Sequence, residues 1–235
     1  MAALAPLAVV IPARREACHL PALLADLARA PETLLAETVL VDGGSDDGTA
    51  AVARLGGARV ITSRANRGRQ LQLGIAATTA PWLLLLHADA RLPAAWAAAV
   101  AAVLEQAPEP RASAWCFDLA IAGGGLPLRL LELAVAARTR LRQLPYGDQG
   151  LLLPRQLLAA CGGMAPLPLM EDLELILRLR RLARIRSLGL PLVVNGRRWQ
   201  RHGVLGTAWR NACLRRQWRQ GHSAESLARR YYAPG

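Results

Sequence analysis

The sequence predicts an α/β fold, a mostly parallel sheet covered by helices on both faces. Three observations predict it. Apolar runs of strand length alternate with stretches of helical periodicity. Three of the strand ends carry carboxylates or turn glycines, at Glu16, Asp42 and Asp89, and this topology sets them along one rim, where such sheets bind ligands. The chain has 235 residues, 53% apolar and 20% charged, enough for one well-buried domain.

The elements follow in order. Leu7 to Ile11 is a strand ending in Pro12-Ala13-Arg14-Arg15-Glu16. Leu20, Leu23, Leu24 and Leu27 recur at i, i+3, i+4 and i+7, which predicts a helix. Thr38 to Val41 is the second strand, closed by the turn-forming run Asp42 to Thr49. A helix through Val52 and Leu55, a strand at Ala58 to Ile61 and a helix over about Gln70 to Ala77 come next. The strand Trp82 to Leu86 runs into His87-Ala88-Asp89, and a helix starts near Pro93. The second half reads as a strand at Ala114 to Ile121, a glycine turn at 123–125 and an amphipathic helix over about Leu128 to Leu141. After Pro145-Tyr146-Gly147-Asp148-Gln149-Gly150 come a strand at Leu151 to Leu153 and a helix from Pro154. No linker or repeat divides the chain. Residues 1–203 read as a single domain and 204–235 as a helical extension docked on it through Leu205, Trp209 and Cys213, which keep helical spacing.

The helix from Glu171 to Arg181 is informative in its phase. Glu171, Glu174, Arg178 and Arg181 share one face of the helical wheel, with Glu174 and Arg178 as an i,i+4 pair. Asp172 falls instead among Leu175, Ile176 and Leu179. It sits in the first turn, where the helix dipole favours the ionised form. A carboxylate on an apolar stripe needs a partner or a task, so an inward-facing Asp172 at the floor of a cleft is the expectation.

Charge is uneven. All 29 basic residues are Arg, and the net charge is +12. Residues 176–235 hold 14 Arg against the single Glu225. Such a segment implies an anionic partner, and Arg suits bidentate phosphate recognition. The four cysteines form no C-x-x-C pair and no zinc-spaced cluster, which predicts free thiols in a reducing compartment. No apolar stretch reaches membrane-spanning length, and the apolar N-terminus lacks the basic segment of a signal peptide, so a cytoplasmic location is expected.

The segments VVIPARREA, VLVDGGSDDGT, RGRQLQLG, LLLLHADARLP and PLMEDLEL resemble the family 2 glycosyltransferases, in the family's order and over about residues 7–182. The resemblance implies the GT-A fold, a Rossmann-like nucleotide-diphospho-sugar transferase architecture. It implies a UDP-sugar donor held by Pro12, Ala13, Glu16, Asp42, Gly43, Arg67, His87, Ala88 and Asp89, with Asp42 on the base. It implies a divalent cation, Mg2+ or Mn2+, at Asp89, with His202 as a further ligand. Asp172 would be the general base, with Glu171, Asp148 and Gln149 beside it in the catalytic set. Three positions depart from the family pattern: His87 replaces the first Asp of its D-x-D motif, Gly43 the second Asp of its D-D-G-S pattern, and Arg15 its usual Asn.

HADARLP, PYGDQG and PLMEDLE further resemble a subgroup of small transferases linked to arsenosugar and selenium metabolism. That resemblance implies an inverting transfer from UDP-N-acetylglucosamine or UDP-glucose to selenophosphate, forming a carbon–selenium bond. A small anionic acceptor agrees with the late arginines, and Arg138 and Arg140 are expected to bind it. The alternative is a hydroxyl or lipid-linked acceptor at a membrane surface, suggested by the Trp, Leu and Arg of the segment from Leu205 to Trp218. A nucleic-acid partner is not expected, because the basic segment matches no recognised binding motif.

Overall fold

A computed structural model describes residues 5–106, 113–197, 199 and 203–232. Seven strands form one sheet: β1 (Leu7–Ala13), β2 (Leu35–Asp42), β3 (Arg59–Thr62), β4 (Trp82–Leu85), β5 (Ser113–Ile121), β6 (Leu151–Pro154) and β7 (Arg184–Val194). Their order across the sheet is β3-β2-β1-β4-β6-β5-β7. β6 alone runs antiparallel to its neighbours β4 and β5. Every other pairing is parallel. The helices are α1 (Leu20–Leu27), α2 (Thr49–Leu55), α3 (Arg67–Ala76), α4 (Trp96–Gln106), α5 (Leu126–Arg142), α6 (Arg155–Ala160), α7 (Glu171–Leu182), α8 (Val204–Arg219) and α9 (Ala224–Tyr232).

β1 is buried throughout, and its side chains alternate between the two faces as a strand requires. Leu7, Val9 and Ile11 pack with the leucines of α1 and with Trp96 and Val100 of α4. Ala8 and Val10 pack with Leu71 of α3, Leu157 and Leu158 of α6, and the apolar face of α7. Leu214, Leu227 and Ala228 of α8 and α9 belong to this second cluster. A third cluster seats Leu128 and Val135 of α5 on Leu119, Ile121 and Val194.

Two features differ from the sequence reading. β7, an eleven-residue edge strand, is missing from it. Its alternation of exposed Arg184, buried Ile185 and exposed Arg186 is that of a half-covered strand, but it follows directly on the arginines of α7. A register shift between Cys116 and Asp118, the latter paired with Pro191, then breaks the alternation. The docking of α8 also differs. Leu205 and Trp209 are 84% and 74% exposed, and Thr207 and Leu214 are the buried positions. Leu205 and Trp209 mark the outward side of that helix, and Cys213 is half-buried.

Sheet topology places the site. β1 pairs with β2 on one side and β4 on the other, so the connections diverge at the carboxyl ends of β1 and β4. The segment after β4 is fixed from below by buried Asp26 of α1. Its carboxylate accepts from Arg91 Nε at 2.8 Å and from the Leu92 amide at 2.9 Å, while Trp96 Nε1 donates to its carbonyl. On the opposite face, α3 lies against the sheet at Gly74, where a Cβ would stand 2.4 Å from Val10 Cγ1 and 3.1 Å from Val41 Cγ2. Overpacking of that kind costs about 1–3 kcal/mol, more than the roughly 1 kcal/mol of helix propensity that alanine regains. Gly74→Ala is therefore expected to lower the denaturant midpoint, read by far-UV circular dichroism.

Candidate active site

A cleft of about 1050 Å³ opens over the carboxyl ends of β1 and β4. Pro12, Ala13 and Glu16 line it from β1, and His87, Ala88 and Asp89 from the loop after β4. Asn66 and Arg67 enter from the start of α3, and Asp148 and Asp172 from the far side. The last two helices close it with Arg215, Arg229, Tyr231 and Tyr232 among others.

The loop after β1 is braced by the loop after β2. Arg15 holds the left-handed conformation, at φ 55, which a bulky side chain rarely adopts. Its amide donates to Ser45 Oγ at 2.8 Å, and its guanidinium grips both Asp46 oxygens at 2.7 Å. Ser45 is held in turn by Asp42, whose carboxylate accepts from the Ser45 amide and hydroxyl. The Glu16 amide donates to Thr49 Oγ1 at 2.9 Å. Buried Gln70 of α3 ties both strand ends, donating to Ala13 O at 2.9 Å and Val41 O at 2.7 Å.

This corrects the expected place of Asp42 and Gly43. Neither lines the cleft. Asp42 is 4% exposed and engaged with Ser45, and Gly43 packs under the Gln70 amide. Asp42 acts on the cleft through the Ser45–Arg15 brace.

The far side depends on one buried ion pair. Glu171 is 1% exposed and joined to Arg67 of α3. Burial holds its carboxyl above the usual range against the pull of Arg67. The helical wheel predicted the reverse assignment, with Glu171 on the polar face and Asp172 inward. Glu171 is the enclosed carboxylate, since the sheet side of α7 begins one residue earlier and Arg67 reaches it from a distant helix. It does not line the cleft. Half-buried Asp172 does, and its Oδ2 accepts from the Gly147 amide at 2.7 Å. A Cβ on Gly147 would stand 2.9 Å from His87 Nε2 and 3.1 Å from that same oxygen, so imidazole and carboxylate flank the glycine. The Glu174–Arg178 pair forms as predicted, at 2.6 Å.

Asp148 lies beside Asp172 in a single 3-10 turn, Gly147–Gln149. Burial lifts its carboxyl to about 6, with Asp172 adding to the rise and Arg138 opposing it. Its Oδ1 is buried without a hydrogen-bond partner among the described residues. Glu16 is raised to about 7, first by burial and then by the facing Asp89, while Arg197 opposes the shift.

Gln149, Arg138 and Arg140 were expected at the substrate, and the structure puts them elsewhere. Gln149 is fully buried, donating to Phe117 O at 3.0 Å and accepting from Thr139 and Arg138. Arg138 donates to Leu144 O at 2.9 Å and stacks on Tyr146 at 3.7 Å. Arg140 pairs with Asp118 on the surface. The first two build the scaffold of the Pro145 to Gly150 loop. His202 lies outside the described residues. Among the described residues, no three His, Cys, Asp or Glu side chains gather closely enough to cage a metal ion.

Sequence reasoning missed Asn66, Gln70, Arg197, Arg215, Arg229 and the two terminal tyrosines. Arg197 follows the unread strand β7 and reaches Glu16 at 3.3 Å. Arg215 sits over the Tyr146 ring at 4.9 Å. Two expectations follow. Glu16 is protonated more readily in the folded chain than at the ordinary glutamate value of 4.5, so its contribution to stability is full below that pH and lost as pH rises through about 7. Glu16→Gln should flatten that decline in the ligand-free protein, measured by urea unfolding across pH. Glu171→Gln, which leaves half-buried Arg67 without its counter-charge, should cost about 3 kcal/mol by the same measurement.

The family model for glycosyl transferase family 2 matches residues 8–126. A search of curated proteins returns no significant match. Among solved structures, Pyrobaculum calidifontis mannosyltransferase PcManGT, in complex with GDP-Man and Mn2+, superposes at TM-score 0.66 with 18% identity, covering 97% of this chain and 70% of that one. S. aureus TarS superposes at 0.65 with 17% identity, over 80% of this chain and 36% of that one. Mycobacterium tuberculosis glucosyl-3-phosphoglycerate synthase, in complex with phosphoglyceric acid, superposes at 0.58 with 22% identity, over 80% and 70%. At these identities the superpositions show the fold, an α/β fold of the GT-A type. This chain thus spans only about a third of TarS, and the family model covers half of its own length, the half that carries the β1 and β4 rim. The chain belongs to glycosyl transferase family 2.

Proposed function

We propose that the protein is an inverting glycosyltransferase that moves a sugar from a UDP-sugar, UDP-N-acetylglucosamine or UDP-glucose, to a small anionic acceptor. The observation that carries the anionic acceptor is a set of cleft arginines without acidic partners. Arg15, Arg67 and Arg197 are paired with Asp46, Glu171 and Glu16. Arg14, Arg215 and Arg229 line the same cleft and form no ion pair among the described residues. An anionic acceptor must approach a diphosphate donor. At about 6 Å and an effective dielectric near 20, each pair of like unit charges costs roughly 3 kcal/mol. Free guanidinium groups offset that repulsion.

Glu16, His87 and Asp89 line the donor side in this reading, and Asp172 and Asp148 the acceptor side. A divalent cation fits as a partner of Asp89 together with donor phosphates, since Mg2+ is commonly held by one or two carboxylates plus phosphate oxygens. Bound there, it would neutralise charge on the leaving diphosphate. PcManGT and the mycobacterial synthase are described in complexes that contain Mn2+.

Selenophosphate is the specific acceptor we propose, on the subgroup resemblance of HADARLP, PYGDQG and PLMEDLE. Its selenium is already anionic near neutral pH. Attack at the anomeric carbon forms the carbon–selenium bond as the carbon–oxygen bond to UDP breaks, and UDP leaves with the electron pair. No proton needs to be removed from the nucleophile. A hydroxyl acceptor would need Asp172 as base. The Asp172 carboxylate lines the cleft, held in place by the Gly147 amide. The four cysteines are unpaired, which accords with the cytoplasmic location proposed with this function.

Mass spectrometry of UDP-N-acetylglucosamine or UDP-glucose incubated with enzyme and selenophosphate tests the reading. A selenium isotope pattern in a sugar product, with β configuration by proton NMR, is expected. Turnover only with alcohols or a polyprenyl phosphate would refute the anionic acceptor, and Asp172→Asn should then abolish activity. Under the anionic reading, Arg215→Gln or Arg229→Gln should raise acceptor KM by about tenfold, with UDP affinity unchanged by calorimetry.

A further inference from the structure

Nine large apolar side chains are strongly exposed among the described residues, and six of them lie on two helices. Leu126, Leu130, Leu133 and Leu141 form one outward stripe of α5. Leu128, Val135 and Thr139 face inward on the same helix. Leu205 and Trp209 continue the exposure on α8. The two helices pack against each other. Val204 and Leu131 share one apolar cluster, and Arg138 of α5 and Arg215 of α8 both stack on Tyr146. The outward face of α8 is also cationic, with Arg216 and Arg219 exposed on the side of Leu205 and Trp209. Two carboxylates on and beside α5 are already engaged: Glu132 with Arg129 and the Ile121 amide, Asp118 with Arg140 and Ser187.

We propose that the outward faces of α5 and α8 dock on an anionic bilayer surface. Leucines and a tryptophan beside arginines are the composition of an interfacial helix: the apolar side chains enter the headgroup boundary and the guanidinium groups meet lipid phosphates. Charge complementarity selects this occupant. A second copy would set one arginine-rich face against another. A nucleic acid would leave five exposed leucines against a polar backbone, because leucine neither stacks on bases nor bonds to phosphate. The docking helix also carries the site, since Asn211, Leu214 and Arg215 of α8 line the cleft. This surface does not depend on the identity of the acceptor.

Vesicle flotation of the full chain tests it, with phosphatidylcholine alone and with phosphatidylcholine plus phosphatidylglycerol. The protein should float with the anionic vesicles and stay behind with the neutral ones. Arg216→Gln or Arg219→Gln should each weaken partitioning about fivefold. The double variant Leu205→Ser, Trp209→Ser should lose flotation with an unchanged thermal melt, because both side chains are exposed in the folded chain. Absence of flotation on anionic vesicles, or undiminished flotation of the double variant, would overturn the proposal. So would a dimer in sedimentation that the double variant dissolves, or retention on nucleic acid without vesicle binding.

Discussion

Arg67 and Glu171 lie 104 residues apart and meet between α3 and α7. A glutamate this enclosed is costly unless a cation meets it, and the geometry of the far side of the cleft depends on that meeting. Arg67 opens α3, whose first turn is fixed by Asn66: its Oδ1 accepts from the Arg69 amide at 2.9 Å and its Nδ2 donates to Pro166 O at 3.1 Å. Glu171 opens α7, so the ion pair sets where Asp172 stands and, through the Gly147 amide, where the loop bearing Asp148 stands. The β1–β4 rim and the far rim are thereby referenced to each other through two helix starts instead of through the sheet.

A second line of support converges on the same loop from behind. Gln149 spends its amide on Phe117, Thr139, Arg138 and the Tyr146 amide. Tyr146 is stacked by Arg138 and Arg215. A loop that carries an acidic side chain raised to about 6 is thus held from behind by buried Gln149 and by the guanidinium groups stacked on Tyr146. That support fixes the carboxylates of Asp148 and Asp172 beside each other at the cleft.

Much of the fold was legible because central strands buried on both faces read as continuous apolar runs, and β1, β4 and β6 are of that kind. β7 was illegible because an edge strand needs cover on one side only, and its outward arginines look like the tail of α7. The rim was legible at Glu16, Asp89 and Asp172, whose positions follow from strand ends and a helix start. The roles of Asp42 and Glu171 were not, since each is set by a partner distant in sequence, Arg15 through Ser45 in one case and Arg67 in the other. Periodicity reports which face of a helix is apolar; it carries no information on which distant guanidinium will arrive to neutralise a buried acid. The same limit explains α8, where Leu205 and Trp209 share a face that the fold leaves outside.

The reversed strand bears on the order in which the chain can fold. β1 to β4 are joined by short helical crossovers, so three parallel pairings can form as soon as β4 exists. The free edge of β4 then waits for β6, which begins at Leu151, after β5 and the long helix α5 have been made. During synthesis that edge is a fully apolar strand with unpaired amides, the kind of edge that invites intermolecular pairing. β5 meets the same delay, because its own partners β6 and β7 both come later. The order of the strands along the chain therefore leaves, until β6 arrives, an apolar edge at the centre of the sheet that the finished molecule no longer displays.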